Sequence, residues 1–243
     1  MIRNLLLDLD DTILDFHRAE KIALTRALTE AGVEVTDARL SRYSEINDSR
    51  WRLLEEKKIT RPEVLVSRFE IFFEELGIRA DAHAVQTAYE RYLSIGHYFM
   101  PGAEKLLGTL YPRYRLYLAS NGTASVQAGR IASAGIAKYF CGMFISEKVG
   151  ADKPDPAFFR AVFAEIPDFV REETLMLGDS LTSDIRGGNG VGIRTVWYNP
   201  RHKPGREDIL PTYEIDDLEK FPILAEKISE EDEKAKITLQ KEE

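Results

Sequence analysis

The stretch LLLDLDDTILD (residues 5–15) sets an apolar run directly against three acids, Asp8, Asp10 and Asp11. IRNLLL (2–7) reads as a short strand buried on both faces. Carboxylates this close repel one another, and a strand end has no structural need of them. In extended chain, positions i and i+2 point the same way. That places Asp8 and Asp10 over one site and turns Asp11 elsewhere. Asp11 and Thr12 are expected to be turn residues whose side chains bond nearby backbone N–H groups.

Outward from this strand, residues 16–99 read as helix almost throughout. Leu24, Ala27, Leu28 and Ala31 recur at helical spacing, and Gly32 stops the run. A second helix is expected over about 37–56. Thr60, Pro62 and Glu63 form a start signal with a capping box. Leu65, Phe69, Phe72, Phe73 and Leu76 follow, and Gly77 closes that helix. A fourth begins near Asp81, with Val85, Ala88, Tyr89 and Tyr92 on one face. Trp51 and the three phenylalanines are read as the interior of this block, and Phe16 and His17 as structural residues.

Past residue 100 the pattern alternates. A helix over 103–110 leads to strand 114–119, helix 123–134 and a strand near 143–145. A helix follows KPDP (153–156), then strand 174–178, a helix or turn through DSLTSD, and strand 193–198. Strands alternating with helices imply a parallel sheet covered on both faces. The fold class is therefore α/β. Residues 1–15 and 100–228 form the core, and 16–99 are an inserted helical-bundle cap after the first strand. The nearly all-charged stretch 229–243 is expected to be a solvated helix end or frayed terminus.

A net charge of −8 argues against a nucleic-acid polymer or a membrane surface as partner. No stretch approaches the ~20 apolar residues of a membrane span, and the N-terminus lacks a signal-peptide pattern. A soluble cytoplasmic protein, monomer or homodimer, is expected. The single cysteine, Cys141 in KYFCGMF, is expected to be a buried small hydrophobe.

Ligands of parallel α/β sheets bind outside the carboxyl ends of the strands. Four polar groups fall there: Asp8 and Asp10, then Ser120-Asn121-Gly122, then Lys153, then Asp179 and Asp184. Asp8, Asp10 and Asp179 brought together require a cation, and oxygen-only ligands favour Mg²⁺. Lys153 adds a second positive centre. Ser120 offers a hydroxyl, and the backbone N–H groups of Asn121 and Gly122 open a helix whose positive end attracts anions. Together these make a phosphate site. A carboxylate can attack phosphorus, and a second carboxyl two residues along can protonate the leaving alcohol and then activate water.

In order and interval, DLDDT (8–12), SNG (120–122), KPDP (153–156) and GDSLTSDIRGG (178–188) resemble the four motifs of the haloacid-dehalogenase-like hydrolase superfamily. The resemblance implies a Rossmann-like core, with the helical insertion matching the cap found after the first motif. It implies Asp8 as nucleophile and Asp10 as general acid and base. Ser120 and Lys153 would bind the phosphoryl group, and Lys153 would also orient the nucleophile. Mg²⁺ would be held by Asp8, the backbone carbonyl of Asp10, and Asp179, with Asp184 holding a metal-bound water or Lys153. In many members the second acid of the last motif follows the first by four residues; here it follows by five.

The cap segment INDSRWRLLEEKKITRPEVLVSRFEIFFEELGI, with SEKVGADKPDPAFF, resembles the noncanonical pyrimidine nucleotidase branch. That implies a 5′-nucleotidase acting on small phosphorylated metabolites such as nucleoside monophosphates, with a cap that closes over the site. The alternative inside the superfamily is a sugar-phosphate or N-acylneuraminate-9-phosphate-type phosphatase. Dehalogenation is disfavoured, since expelling halide needs no acid at Asp10. A phospho-receiver switch is disfavoured because its phosphorylated Asp comes from a middle strand.

Overall fold

A computed structural model describes residues 1–242. The chain forms two compact units. One comprises residues 1–15, 99–124 and 135–243, and the other residues 16–98 and 125–134.

The first unit is built on a six-stranded sheet. Its strands are β1 (Asn4–Leu7), β2 (Arg115–Ser120), β3 (Gly142–Ile145), β4 (Thr174–Gly178), β5 (Arg194–Tyr198) and β6 (Tyr213–Ile215). They lie in the order β3-β2-β1-β4-β5-β6, all pairs parallel. β1 is thus central, and its four residues are fully buried. Leu6 packs with Tyr117, Ala119 and Met176 against Phe158, Phe159 and Val162 of α8 (Pro156–Ala164). Leu5 and Leu7 alternate to the other face, as the two-residue period demands.

Leu7 pairs with both Leu118 and Leu177, so β1, β2 and β4 end in register. That alignment delivers Asp8, Ser120 and Asp179 to one sheet edge. The other helices of this unit are α5 (Ala103–Leu110), the single turn α7 (Ser146–Val149), α9 (Arg186–Gly190) and α10 (Lys220–Glu242). β6 and α7 had no counterpart in the sequence reading.

α10 changes the picture of the charged C-terminus. Residues from 229 continue one helix, with Ile228 fully buried. Ser229 accepts the Ile2 N–H at 3.0 Å. Asp232 takes both arms of Arg194 at 2.9 Å, and Arg194 also donates to the Glu172 carbonyl. The expected tail is therefore tied to the sheet through Asp232; Glu243 lies outside the described residues.

The second unit holds α1 (Phe16–Glu30), α2 (Asp37–Glu55), α3 (Arg61–Glu75), α4 (Ala82–Leu93) and most of α6 (Ala124–Ala134). Phe69, Phe72, Phe73, Tyr43 and Tyr89 form its interior, as the helical spacing predicts. Thr60 and Glu63 form the expected capping box, in which the Thr60 N–H donates to the Glu63 carboxylate at 2.6 Å. Residues 125–134, expected with the core, group here instead. Arg130, fully buried, donates to the Gly96 carbonyl at 3.2 Å, and Gly129 leaves room for Ser94, whose carbonyl an added Cβ would meet at 2.7 Å.

A buried polar chain crosses this unit. Asn47 of α2 donates to Glu20 of α1 at 2.9 Å, and Arg68 of α3 donates to Asn47 at 2.7 Å and to Gln86 of α4 at 2.8 Å. One residue from each of four helices takes part, which fixes how they pair.

Candidate active site

Asp8 leaves β1 with its N–H bonded to the Leu177 carbonyl at 2.9 Å, continuing the ladder to β4. Its carboxylate is buried. Beside it lies Lys153, buried to 1 % exposure. The Lys153 ammonium has three protons and meets three acceptors: Asp8 Oδ1 at 2.7 Å, Asp184 Oδ1 at 2.6 Å and the Ala119 carbonyl at 2.6 Å. Burial alone would favour the neutral amine. Asp184 and Asp8 more than reverse that and hold Lys153 protonated, its pKa above the ordinary lysine value.

Asn121 explains how Lys153 reaches this place. Its amide donates to the Lys153 carbonyl at 2.8 Å, and its Oδ1 accepts the Lys153 N–H at 2.8 Å. The Asn121 side chain therefore clamps the lysine's backbone. Gly122, expected to offer its N–H to an anion, donates it to Ser146 Oγ at 3.1 Å. Glu147 accepts the Ala124 N–H at 2.7 Å. Ser120 is fully buried at the end of β2.

Asp184 is brought in by a wide turn. Over Leu181–Ile185 the backbone bonds run five residues apart, from the Arg186 N–H to Leu181 and from the Ile185 N–H to Ser180. This π-type turn absorbs the extra residue between Asp179 and Asp184. The second carboxylate oxygen of Asp184 accepts the Ser180 N–H at 3.1 Å. Gly178 makes the approach possible, because a Cβ there would lie 2.1 Å from Asp184 Oδ2. Gly187 does the same for α8, since its Cβ would meet the Phe159 ring at 2.5 Å. Gly188 is packed as closely, since its Cβ would meet the Thr195 side chain at 2.5 Å.

Carboxylate oxygens of Asp8, Asp179 and Asp184 all lie within 4.8 Å of one another. Burial, reinforced by the other acids, pushes Asp8 well above the usual carboxylate range, against the pull of Lys153. Asp179 is pushed up to about 8, by burial first and then by Asp11 and Asp184. Three oxygen donors carrying this much unbalanced negative charge match a hard divalent cation. The donor set fits Mg²⁺ and offers no sulfur or imidazole for zinc.

Asp10 is partly exposed and stands close enough to raise the Asp8 pKa. Two expectations for the loop need correction. Thr12 was to bond nearby backbone; it is fully buried and its hydroxyl has no hydrogen-bond partner. The turn's N–H groups are already consumed, with Ile13 and Leu14 both donating to the Leu9 carbonyl. Asp11 sits in the turn as expected, at φ 55° with its N–H on the Leu14 carbonyl. It is not remote, however, because its charge is the strongest acidic influence on Asp179. Cys141, expected buried, is exposed, since it precedes β3 at the sheet's edge.

Sequence reasoning missed Gly178, and it missed three supports. These are Ser146 and Glu147, which hold the loop after β2, and Trp197 of β5, whose indole donates to the Asp179 carbonyl at 2.8 Å. Gly178 alone carried a signal, as the last residue of a strand facing an acid.

A parallel sheet whose central first strand ends in a buried carboxylate, with a clamped lysine and further acids beside it, is the arrangement anticipated from the motifs. Residues 2–192 match the haloacid dehalogenase-like hydrolase family, and the chain belongs to it. It is 43% identical over 212 residues to pyrimidine 5′-nucleotidase PynA of Streptococcus pneumoniae, covering 87% of this chain and 90% of that one. It is 41% identical over 219 residues to the HAD-hydrolase YfnB of Bacillus subtilis, covering 90% and 93%. The crystal structure of YfnB bound to magnesium superposes with a TM-score of 0.89 at 40% identity, covering 92% of this chain and 98% of that one. The chain is an enzyme of the phosphatase class within this family. Among the described residues, no helix is long and apolar enough to cross a membrane.

Proposed function

We propose that this enzyme is a Mg²⁺-dependent 5′-nucleotidase that hydrolyses pyrimidine nucleoside monophosphates through an aspartyl-phosphate on Asp8. The observation that carries the mechanism is the Lys153 ammonium 2.7 Å from Asp8 Oδ1 inside a buried acid cluster. The likeness to PynA supports the substrate class.

In the first half-reaction a carboxylate oxygen of Asp8 attacks phosphorus, and the bond from phosphorus to the nucleoside oxygen breaks. Asp10 gives its proton to that departing oxygen. In the second half, Asp10 takes a proton from water as the water attacks phosphorus. The bond to Asp8 then breaks, and inorganic phosphate leaves. Lys153 pulls Asp8 toward its ionised form against burial and aims it, and Asp184 and Asn121 hold Lys153. The Ser120 hydroxyl and the Asn121 backbone N–H receive phosphoryl oxygens, while the Gly122 N–H, held by Ser146, fixes the loop that presents them. Asp8, the Asp10 carbonyl and Asp179 would hold Mg²⁺, with Asp184 beside them. When bound, the ion offsets the repulsion between carboxylate and phosphate.

The test is phosphate release from UMP, dUMP, dTMP and a panel of sugar phosphates, with and without Mg²⁺, for wild type and Asp8→Asn. Mg²⁺-dependent release from pyrimidine nucleotides, abolished in Asp8→Asn, is expected. Full activity in Asp8→Asn would refute the mechanism. Activity confined to sugar phosphates would refute the substrate alone.

A further inference from the structure

Each acid of the cluster faces a lysine, but not the same one. Lys153 serves Asp8 and Asp184. Asp179 is paired instead with Lys203, whose Nζ lies 3.5 Å from Asp179 Oδ2. Lys203 belongs to the loop after β5, and that loop is built to present it. Asn199, buried at the end of β5, accepts the Lys203 N–H at 2.8 Å and donates to the Lys203 carbonyl at 3.0 Å. The same amide donates to Glu214 at 2.8 Å, anchoring the loop to β6. His202 turns the chain at φ 50°, in the left-handed region. Both backbone polar groups of Lys203 are thus fixed, while its side chain stays half exposed, at 51%. Trp197, earlier in the same segment, holds the Asp179 carbonyl. β5 and its loop therefore grip Asp179 at both its backbone and its carboxylate.

We propose that Lys203 is a built-in counter-ion of Asp179 that holds the site's affinity for a divalent cation below what its three carboxylates alone would give. This rests on the reading of Asp8, Asp179 and Asp184 as a cation site. An ammonium 3.5 Å from a carboxylate stands within a few ångströms of any cation that carboxylate binds. Like charges at that range repel, and partial exposure moderates the repulsion without removing it. Lys153 also acts on Asp179 through its charge, but less than Lys203 does, its three protons being directed at Asp8, Asp184 and the Ala119 carbonyl.

The experiment is calorimetric titration of Mg²⁺ into the metal-stripped full chain, for wild type, Lys203→Met, Lys203→Arg and Arg201→Met. Arg201→Met makes the same charge change in the same loop. Lys203→Met should bind Mg²⁺ roughly tenfold more tightly than wild type at low ionic strength, and the gap should narrow at about 0.5 M salt. Lys203→Arg and Arg201→Met should stay within about twofold of wild type. Unchanged or weaker binding in Lys203→Met would overturn the proposal. So would equal tightening in Arg201→Met, which would mark a general charge effect. A wild type that binds no Mg²⁺ would overturn the cation-site reading beneath it, whereas wild-type binding without the tightening overturns only the role of Lys203.

Discussion

Gly178→Ala puts one methyl group where the site has no room for it. The new Cβ would lie 2.1 Å from Asp184 Oδ2, 2.3 Å from its Cγ and 2.6 Å from its Cβ. All three contacts are far inside van der Waals range, so Asp184 must move by about an ångström or more. It cannot move freely. Its side chain is 1% exposed, one oxygen is held by Lys153 at 2.6 Å, and the other by the Ser180 N–H at 3.1 Å. Forcing a methyl into such a site costs about 1–3 kcal/mol, and fully breaking a buried ion pair costs about 3–5 kcal/mol. Lys153 keeps Asp8 and the Ala119 carbonyl, so the second cost is only partly incurred. The expected loss is therefore about 3–5 kcal/mol, read as a lower urea midpoint at unchanged slope. Phosphatase activity should fall by about two orders of magnitude, because Lys153 loses an orienting partner. The same substitution in an Asp184→Ala background should cost only about 1–2 kcal/mol, since the carboxylate is gone and the Cβ contact alone remains. Wild-type stability in Gly178→Ala, or an equal cost in both backgrounds, would refute the reasoning.

Four further outcomes are expected. Asp8→Asn and Asp10→Asn should each reduce phosphate release by at least about a thousandfold, and Asp11→Asn should retain most of it. Equal losses at Asp10 and Asp11 in steady-state assays would refute that division. Lys153→Met should lose activity by about three orders of magnitude and also lower the thermal midpoint, since Asp8 and Asp184 are left facing each other. Arg68→Met should destabilise the helical unit by about 2–4 kcal/mol in chemical denaturation, because Asn47 and Gln86 lose a buried charged donor. Arg194→Ala should cost about 1 kcal/mol at pH 7. Arg194 holds the Asp232 carboxyl below its ordinary value of 3.8, so that contribution is complete above 3.8 and vanishes as pH falls through the lowered value. Denaturation at pH 7 and pH 2.5 checks this, and an undiminished cost at pH 2.5 would refute it.

The parts of the site legible in the sequence are those whose chemistry and position coincide. An acid that ends a buried strand is visible because burial and charge conflict there, and Asp8 and Asp179 were found that way. The long-range partnerships were not visible. Asn121 reads as a turn residue beside a phosphate loop, yet its side chain spends both its amide groups on the backbone of Lys153, 32 residues away. Thr12 looks like a capping hydroxyl, but the Leu9 carbonyl had already taken the local donors. Glu20 and Arg68 lie in helices α1 and α3 like any solvated pair, and only the assembled bundle buries them. β6 is three residues long, too short for a period to register.

The five-residue interval between Asp179 and Asp184 shows where such reading stops and what replaces it. Counted on an α-helix, one extra residue swings a side chain by about 100° and would carry the acid off the site. The chain meets this by widening one turn, so the carboxylate returns to within hydrogen-bond reach of Lys153. The widened turn brings Asp184 hard against the end of β4, and that position tolerates it only because it is Gly178. Spacing, turn geometry and glycine are thus one device. Its function is to fix a lysine, and through that lysine to fix the carboxylate at Asp8 with which the sequence begins its first loop.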